Sequence, residues 1–353
     1  MTTKTDLTRR RVLKTGAASA VLLASPLVSR GIARAQENTV YVGTFGGSWQ
    51  KAEEAAFFGP FTAKTGIKVV PVQGVSLAKV KAQIQAKNYD FDVTDIEYHA
   101  AHLEGLVEPL DRSVVDVNNP AIKDGISGDG FKDVTGGSIL TYRKDKFPNG
   151  GPQSWADFWD VKKFPGNRGM LVRANTVIEF ALMADGVPPS KVYPFDMDRA
   201  FKKLNEIKPH IKVFWTQGAQ GMTLMRDGEV DMMPMWSGGA QSLVEQGVPI
   251  EMVWNQAHLE TGGKYYVLKG TPRAKNAFKY LEFFLDPKQH ALFATMQNYG
   301  PGNPKAFDFM TKEQIAISPS APDKLAIGIQ PDYDWLTPRF AEIKDRLAAW
   351  MAG

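Results

Sequence analysis

From residue 39 onward, short apolar runs alternate with amphipathic segments. This alternation restricts the possible folds of the chain more than any other pattern in the sequence. Residues 39–42 are β-branched and aromatic and favour a strand, residues 50–64 have the spacing of an amphipathic helix, and residues 67–70 favour a second strand. Gly66 precedes the second strand, and glycine readily adopts the left-handed conformation that ends a helix. A strand, a helix and a strand within about 30 residues make a βαβ unit, so we predict an α/β fold.

The same alternation continues to the end of the chain. Residues 118–137 are rich in Gly, Asp and Asn and predict a long surface connection, after which a second series of elements begins at residue 138. Further strands are predicted at residues 91–96, 138–142, 170–172, 231–236, 250–254 and 264–268. Further helices are predicted at residues 77–87, 198–207, 220–227 and 339–351, with others that begin near residue 154 and end at residue 184. Pro234 weakens the strand that contains it, because proline cannot donate a hydrogen bond.

Composition excludes several classes of protein. Of the 353 residues, 43% are hydrophobic and 23% are charged, which is typical of two folded domains and not of a disordered or integral membrane protein. The absence of cysteine excludes disulfides, cysteine-ligated metals and a thiol nucleophile. The formal net charge is +4, but residues 1–35 alone carry +6, so the remaining chain carries −2. This slightly acidic body argues against nucleic-acid binding.

The first 35 residues have the pattern of an export signal. Consecutive arginines at residues 9–11 precede an apolar stretch, residues 16–24, which is shorter than the about 20 residues of a membrane span. Ala33 and Ala35 form the small-x-small pattern of a cleavage site, which predicts a mature chain that starts at Gln36. The segment resembles a twin-arginine signal and predicts a periplasmic protein without a lipid anchor, since a lipobox cysteine is absent. An N-terminal amphipathic helix of the fold is the alternative.

Six segments of the chain resemble, in the same order, segments of the extracellular solute-binding proteins of ABC importers. Residues 61–69, FTAKTGIKV, match the pattern F-x-x-x-T-G-I-x-V near the start of these proteins. The other segments are residues 89–93, 105–111, 154–159, 226–232 and 236–240. The resemblance is strongest to the spermidine/putrescine-binding branch and covers nearly the whole chain after the export signal.

This resemblance implies a two-lobe periplasmic binding protein fold of type II. Such a fold is α/β, with mixed, mainly parallel sheets, flanking helices and hinge crossovers. Lobe 1 would comprise residues 36–137 with a return at residues 265–320, and lobe 2 would comprise residues 138–264. Residues 321–353 would form a C-terminal helical segment. The two lobes would close around one ligand by hinge motion.

Ligands of open α/β sheets bind at the carboxyl ends of strands, and four loops of this chain qualify. The first loop contains Phe45, Gly47, Ser48 and Trp49. Its glycine would let the backbone approach a ligand, and the amides of the following helix could hold an anionic group. In the alternative interpretation Ser48 only caps the helix and Trp49 only belongs to the core. The loop lacks the dinucleotide fingerprint and the P-loop lysine, so nucleotide binding is not expected.

The second and third loops carry opposite charges. In the second loop Glu97 could pair with an ammonium group, and the resemblance implies that Tyr98 stacks on the ligand. In the third loop Arg173 and Thr176 stand where the polyamine-binding branch has acidic residues, and an arginine presents a fork suited to a carboxylate. The alternatives are that Glu97 and Asp95 are solvated carboxylates and that Arg173 makes a surface salt bridge.

The fourth loop contains Trp236 and Ser237 and resembles the site turn W-N-G-S of the family. Trp236 offers a flat wall and a cation–π face, unless it is buried in the core. Tyr265, at a predicted crossover, replaces an acidic residue of the polyamine-binding branch. With Glu97 as the one carboxylate and Arg173 as the one cation, we predict a small amine-bearing acid such as γ-aminobutyrate as the ligand. A polyamine such as putrescine or spermidine is the second choice.

Other functions remain open at this stage. A metal-dependent enzyme could use His99 and His102, which lie near Glu104, although the chain has no G-x-S-x-G pentapeptide of a serine hydrolase. A ferric-ion carrier of the same fold could use Tyr265 and Tyr266, although neighbouring residues of a strand point to opposite faces. A thiamine- or aromatic-acid-binding protein is a further alternative. We predict a monomer without enzymatic activity, cofactor, metal or nucleic-acid partner, which works with the permease and ATPase of an ABC importer.

Overall fold

The computed structural model describes residues 38–260 and 263–353, so the predicted export signal lies outside the described residues. The strands are β1 Thr39–Gly43, β2 Lys68–Val72, β3 Val93–Thr94, β4 Ile126–Ser127, β5 Gly130–Lys132, β6 Val134–Arg143, β7 Arg168–Leu171, β8 Ile211–Trp215, β9 Met232–Trp236, β10 Ile250–Glu260, β11 Lys264–Val267 and β12 Gly300–Pro301. The α-helices are α1 Gly47–Glu53, α2 Gly59–Thr65, α3 Leu77–Ala86, α4 Tyr98–Leu103, α5 Trp155–Trp159, α6 Ala174–Ala184, α7 Met197–Ile207, α8 Gly218–Arg226, α9 Ser237–Glu245, α10 Ala274–Phe284, α11 Pro287–Gln297, α12 Lys312–Ile317, α13 Pro322–Ile327, α14 Tyr333–Leu336 and α15 Phe340–Ala352.

The first sheet has the strand order β2-β1-β3-β11-β5-β4. β1 pairs in parallel with β2 and β3, because helices α1 to α3 return the chain to the same end of the sheet after each strand. A π-helical turn, Glu54–Phe58, joins α1 to α2, and α2 ends at Gly66, whose φ is 72°. Val40 and Val42 are fully buried and pack with the core aromatics of this sheet.

The second sheet has the strand order β10-β6-β9-β7-β8, and β12 pairs with β6. β7 pairs in parallel with β8 and β9, whereas β6 pairs antiparallel with β9 and β10. All eleven residues of α6 are buried between the sheet and its neighbouring helices. Trp155 stacks on Phe180 of α6, with ring centroids 3.6 Å apart, at the centre of this core. Ile343 and Leu347 of α15 belong to the same core, so the C-terminal helix packs beside the second sheet.

The chain passes between the two sheets along neighbouring segments. β5 ends at Lys132 and β6 begins at Val134, while β10 ends at Glu260 and β11 begins at Lys264. The two segments are joined by a hydrogen bond in which Asp133 N donates to Gly263 O over 3.0 Å. Each sheet has its own hydrophobic cores, so these short segments connect two separately packed bodies.

The predicted elements are confirmed in kind, with three corrections to their extent. The strand predicted at 91–96 is only two residues long, and β10 continues to Glu260, well beyond residue 254. Residues 118–137 are not one long loop, since they contain β4, β5 and the start of β6. The sheets are mixed as expected, but parallel pairing is confined to the βαβ units, so the expectation of mainly parallel sheets was too broad. In the described part of the chain, no helix combines the length and apolar character that crossing a bilayer requires.

Candidate functional site

A cavity of about 490 Å³ brings residues of both sheets together. Its lining is Phe45, Gly136, Gly137, Ser138, Arg173, Trp236, His258, Glu260 and Tyr299. Phe45 follows β1, Arg173 follows β7 and Trp236 ends β9, so three of these side chains lie at the carboxyl ends of strands, where ligands of α/β sheets bind. The others come from β6, from the far end of β10 and from the residue that precedes β12.

Arg173 and Glu260 form an ion pair in the cavity wall. Nη2 of Arg173 donates to Oε1 of Glu260, and the hydroxyl of Tyr333 donates to the same oxygen over 3.4 Å. Burial raises the pKa of Glu260, but the positive charges of Arg173 and His258 and the two hydrogen bonds outweigh it, so the pKa lies below its usual value. Glu260 is therefore a carboxylate at neutral pH, and the wall presents one negative and one positive charge side by side.

A second buried pair, His258 and Glu179, adjoins the cavity, and His258 belongs to its lining. Nδ1 of His258 contacts Oε2 of Glu179, and the hydroxyl of Tyr193 donates to Oε1 of the same carboxyl group. His258 is 1% exposed and Glu179 is fully buried. Within the described residues, Nε2 of His258 has no hydrogen-bond partner, and neither have Oγ1 of Thr176 and Nε1 of Trp236. Buried polar atoms are normally paired, so unsatisfied atoms at a cavity indicate a polar occupant.

Aromatic rings form another part of the cavity lining. Phe45 is 58% exposed and meets Trp49 edge-on, with centroids 5.6 Å apart. Trp49 in turn packs against Tyr299, with centroids 6.4 Å apart, and its Nε1 donates to the hydroxyl of Tyr265. Trp236 packs edge-on against Trp215 at 5.7 Å. The cavity thus combines flat apolar surfaces with the Arg173–Glu260 charges described above, as small-molecule sites commonly do.

Three of the residues proposed from the sequence line this cavity, namely Phe45, Arg173 and Trp236. Gly47 and Ser48 are exposed at the first turn of α1, and Gly47 has a φ of 57°. The hydroxyl of Ser48 is not a helix cap, because α1 begins after Gly46 without a side-chain cap.

Thr176, Ser237 and Tyr265 are buried close to the functional loops rather than in the lining. Thr176 lies in the first turn of α6 and is fully buried. Oγ of Ser237 accepts a hydrogen bond from Gly137 N over 3.2 Å, so it supports the backbone that lines the cavity. The hydroxyl of Tyr265 donates to Oε1 of Glu53 inside the first sheet's core.

The second loop lies apart from the cavity lining. Glu97 is exposed and adopts a left-handed backbone conformation with φ of 47°. Tyr98 is 5% exposed and belongs to a hydrophobic cluster, where Lys264 lies over its ring at 4.5 Å. The carboxylate that meets Arg173 is therefore Glu260 and not Glu97.

Sequence reasoning missed Glu260, His258 and Tyr299. The first two lie beyond residue 254, where the predicted strand stopped, on the part of β10 that continues to the crossover. A signal was present, because the polyamine-binding branch has an acidic residue near this crossover. The sequence alone suggests that Tyr265 replaces that residue, whereas Glu260 stands five positions before it. Tyr299 is positioned by the turn after α11, which carried no recognisable motif.

Three further carboxyl groups lie in the interior near Thr44. Burial raises the pKa of Glu53 to about 8, against the effect of hydrogen bonds with Thr44 and Tyr265. Burial also raises the pKa of Asp95 to about 7, and burial with the nearby charge of Asp95 raises that of Asp133 well above its usual range. Glu53 therefore holds its proton at neutral pH and adds no full charge near the cavity.

The side chains that the alternative functions would use are engaged elsewhere. The hydroxyl of Tyr266 donates to Ile96 O over 3.0 Å, and both Tyr265 and Tyr266 are fully buried, so this pair does not offer two phenolates to one iron. His102 stacks on Tyr98 and His99 stacks on Tyr333. No group of three or more His, Asp or Glu residues within 38–260 and 263–353 has the arrangement of a metal site.

A wider surface hollow of about 730 Å³ lies elsewhere on the molecule. Its lining is Pro189, Ser190, Tyr193, Asn255, Gln256, Leu325, Ala326, Ile327, Gly328, Ile329, Gln330 and Asp332. Asp332 is the one charged residue of this lining, and it has no cation beside it there. The hollow therefore lacks the paired charges that distinguish the smaller cavity.

Comparison with known proteins gives a consistent family match. The sequence profile of the bacterial extracellular solute-binding proteins matches residues 56–322. A γ-aminobutyric acid-binding protein of Pseudomonas aeruginosa is 31% identical over 329 residues, which are 91% of this chain and 93% of that protein. A spermidine/putrescine-binding periplasmic protein of Escherichia coli is 24% identical over 287 residues, which are 75% of this chain and 79% of that protein.

The solved structures include an ABC transporter substrate-binding protein from Bradyrhizobium japonicum. It superposes with a TM-score of 0.83 and is 36% identical, and the match covers 89% of this chain and 99% of that one. The profile match covers all the lining residues of the cavity except Phe45, which precedes residue 56.

Proposed function

Since the chain belongs to the bacterial extracellular solute-binding proteins, we propose that it binds a small zwitterionic acid, with γ-aminobutyrate as the first candidate, and delivers it to an ABC importer. Proteins of this family are transport receptors, and their location is extracellular or periplasmic. The observation that carries the proposal is the Arg173–Glu260 pair in the wall of the cavity.

This ion pair can accept a ligand of opposite polarity without being broken. The hydrogen bond between the two side chains uses one guanidinium nitrogen of Arg173, and both bonds to Glu260 end on Oε1. As far as the described residues show, the remaining N–H groups of Arg173 and the oxygen Oε2 of Glu260 are therefore left for a ligand. A zwitterion would place its carboxylate against Arg173 and its ammonium against Glu260, so that every charge gains a charge-assisted hydrogen bond. The neutral net charge of such a ligand matches the neutral net charge of the pair.

A polyamine is the second candidate, and its support is the 24% identical spermidine/putrescine-binding relative. A ligand with two or more ammonium groups needs several carboxylates. Glu260 is the one acidic residue among the nine that line the cavity, and Arg173 adjoins it. The nearby Glu53 holds its proton, since its pKa is raised to about 8 by burial. The charge distribution therefore favours the zwitterion.

Isothermal titration calorimetry with γ-aminobutyrate, butyrate, putrescine and spermidine tests this proposal. We expect γ-aminobutyrate to bind and both polyamines to bind much more weakly. Arg173→Gln should weaken γ-aminobutyrate binding by about ten-fold or more, because it removes a charge-assisted bond to the carboxylate. Arg226→Gln is the matched control, since Arg226 forms an exposed pair with Asp227 outside the cavity. Tight spermidine binding that is insensitive to Arg173→Gln would overturn the zwitterion.

The remaining features of the proposal follow from the export signal and the family. We propose twin-arginine export with cleavage after Ala35, a monomeric receptor, and a permease with its ATPase as the partner. We also propose lobe boundaries near residues 137–138 and 264–265, which fall within β6 and at the start of β11, a few residues from the segments that connect the sheets. Mass determination of the chain recovered from the periplasm tests the cleavage site, because cleavage elsewhere gives a different N-terminal residue.

A further inference from the structure

We propose that His258 determines ligand class by donating a hydrogen bond from Nε2 to the ligand carboxylate, and that Glu179 and Tyr193 position it for this purpose. The inference deepens the function proposed above and rests on it. His258 lines the cavity and is 1% exposed, yet Nε2 has no hydrogen-bond partner among the described residues. A fully buried nitrogen without a partner at a cavity surface indicates that the partner is the ligand.

The state of the imidazole follows from its neighbour. Glu179 is fully buried. In the described structure its two carboxyl oxygens have hydrogen-bond contacts only with the hydroxyl of Tyr193 and with Nδ1 of His258. A carboxylate so deeply buried is costly unless a cation or several donors compensate it. Arg173 acts on Glu179 only through space, and no arginine or lysine forms an ion pair with Glu179 in the described chain, so His258 is the one cationic side chain in contact with it there. We therefore assign the cation to His258, whose ring carries an N–H on both nitrogens when it is protonated.

The environment of Glu260 agrees with this assignment. Burial raises the pKa of Glu260, and the positive charges of Arg173 and then of His258 are the main influences that nevertheless hold it below its usual value. His258 thus contacts one carboxyl group, that of Glu179, and acts electrostatically on a second, that of Glu260. Two nearby anions favour the protonated form of the imidazole.

Three donors of the cavity lining are then available to the carboxylate of the ligand. They are the guanidinium of Arg173, Nε2–H of His258 and Nε1–H of Trp236, which is also buried without a partner in the described residues. A carboxylate accepts about four hydrogen bonds, so three donors suit it well, whereas an ammonium group accepts none. A positive charge on His258, in addition to that of Arg173, also repels ligand amines and so lowers the affinity for polyamines.

Nitrogen-15 NMR of the histidine-labelled chain tests the inference directly. The Nε2 resonance of His258 should be that of a protonated ring nitrogen, and it should shift when γ-aminobutyrate is added. His290 is the internal control, because it is fully buried in the core of the first sheet and outside the cavity lining. An Nε2 resonance of His258 that is unprotonated in the complex, or that ignores the ligand, would overturn the proposal.

Glu179→Gln tests the positioning role with little change in shape. The amide oxygen of glutamine can still accept a hydrogen bond from Nδ1–H of His258. Because the amide is neutral, it does not stabilise a protonated imidazole, so His258 becomes neutral and Nε2 loses its proton. We expect γ-aminobutyrate binding to weaken by about ten-fold or more, together with an Nε2 resonance of the unprotonated type. Glu179→Asp, which retains the charge, should keep the protonated resonance.

The outcomes separate this inference from the function on which it rests. If the wild-type chain binds γ-aminobutyrate but His258 neither shifts nor responds to Glu179→Gln, the inference fails and the proposed function stands. If the wild-type chain binds no amine-bearing acid at all, the proposed function fails first. If Glu179→Gln does not fold, the NMR measurement on the wild-type chain still decides the question.

Discussion

Glu260 is the residue on which recognition of the ligand amine depends in our proposal. It is a carboxylate because Arg173 and His258 offset the cost of its burial, and its oxygen Oε2 is left for the ligand. Glu97, which the sequence favoured for the same role, is exposed and outside the lining of the cavity. The two residues therefore make a matched pair for an experiment.

We expect Glu260→Gln to weaken binding of γ-aminobutyrate by about ten- to a hundred-fold, since a charge-assisted bond to the ammonium is lost. Butyrate, which has no amine, should gain affinity because Arg173 is released from its ion pair. Glu97→Gln should leave both affinities unchanged. Calorimetry measures all of these values, and an effect of Glu97→Gln equal to that of Glu260→Gln would contradict the structure.

Glu53 gives the fold a dependence on pH. Its pKa is raised by burial to about 8 in the folded chain, from 4.5 as the ordinary value. The folded state therefore binds more protons than the unfolded state between these values, and this contribution to stability is present at low pH and lost as the pH rises toward about 8. The raised pKa values of Asp95 and Asp133 act in the same direction.

We expect the free energy of unfolding to fall between about pH 5 and pH 9, and Glu53→Gln to flatten this slope because the amide stays neutral. Urea denaturation at several pH values measures the slope. Glu54→Gln is the control, since Glu54 is the exposed neighbour of Glu53 and begins the π-helical turn that follows α1. If the free energy of unfolding of Glu53→Gln fell with pH as steeply as that of the wild type, burial of the Glu53 carboxyl would not be the cause of the pH dependence.

At the level of single helices and strands, local sequence is most informative about where a helix ends. Gly66 ends α2 with a φ of 72°, and its amide donates to Thr62 O over 2.9 Å. Gly59, at the start of the same helix, has a φ of −63° and open space around a Cβ apart from one ordinary contact at 3.4 Å. The two glycines of one helix thus have opposite conformational requirements.

We expect Gly66→Ala to lower the free energy of unfolding by about 1 kcal/mol, because an alanine is strained at this positive φ. Gly59→Ala should have a smaller effect, because a φ of −63° suits alanine, and the gain in helix propensity is offset by Pro60, which disfavours a helical residue with a Cβ before it. Denaturant titration of both variants gives the two values. Equal effects of the two substitutions would mean that backbone conformation is not the cause.

The strand that carries Pro234 shows where local rules are overruled. Proline weakened the prediction of this strand, yet β9 lies between β6 and β7 and pairs with β6 along its whole length. The pairing of β9 with β7 is recorded only between Met232 and Arg168, so the missing N–H of Pro234 costs no ladder bond on that side. Tertiary pairing decides this case, and a single sequence does not reveal it.

At the scale of the whole molecule, the cavity and the inter-sheet contacts share residues. The hydroxyl of Tyr333 donates to Glu260, and its ring stacks on His99 of α4 with centroids 4.2 Å apart and an angle of 7°. The cavity itself takes Phe45 from the first sheet and Arg173 from the second. A ligand held by these groups would therefore favour the arrangement in which the two bodies are close together.

We expect ligand to reduce the radius of gyration and to raise the free energy of unfolding by about 2.7 kcal/mol at a hundred times Kd. Small-angle X-ray scattering and thermal denaturation measure the two effects. Tyr333→Phe, which removes the bond to Glu260 but keeps the ring on His99, should bind ligand more weakly while retaining the stability of the free chain. Stabilisation by ligand without any change in size would contradict hinge closure.

The resemblance to solute-binding proteins, the α/β class and most helices and strands could be predicted from the sequence, and the family match confirms the first two. These features depend on local periodicity and on turn residues such as Gly66, whose conformation can be predicted from a few neighbouring positions. Phe45, Arg173 and Trp236, which line the cavity, could be proposed from the sequence for the same reason, since each ends or follows a strand that the pattern predicts.

Only the tertiary structure decided which charges meet. Arg173 and Glu260 are 87 positions apart in the chain, and their contact depends on how β10 extends to the crossover beside α6. The same is true of Glu179 and His258, which are 79 positions apart. Electrostatic partners are set by distance in space, and a sequence pattern specifies distance only within one element, so the fold could be predicted from the chain alone whereas the charged part of the site could not.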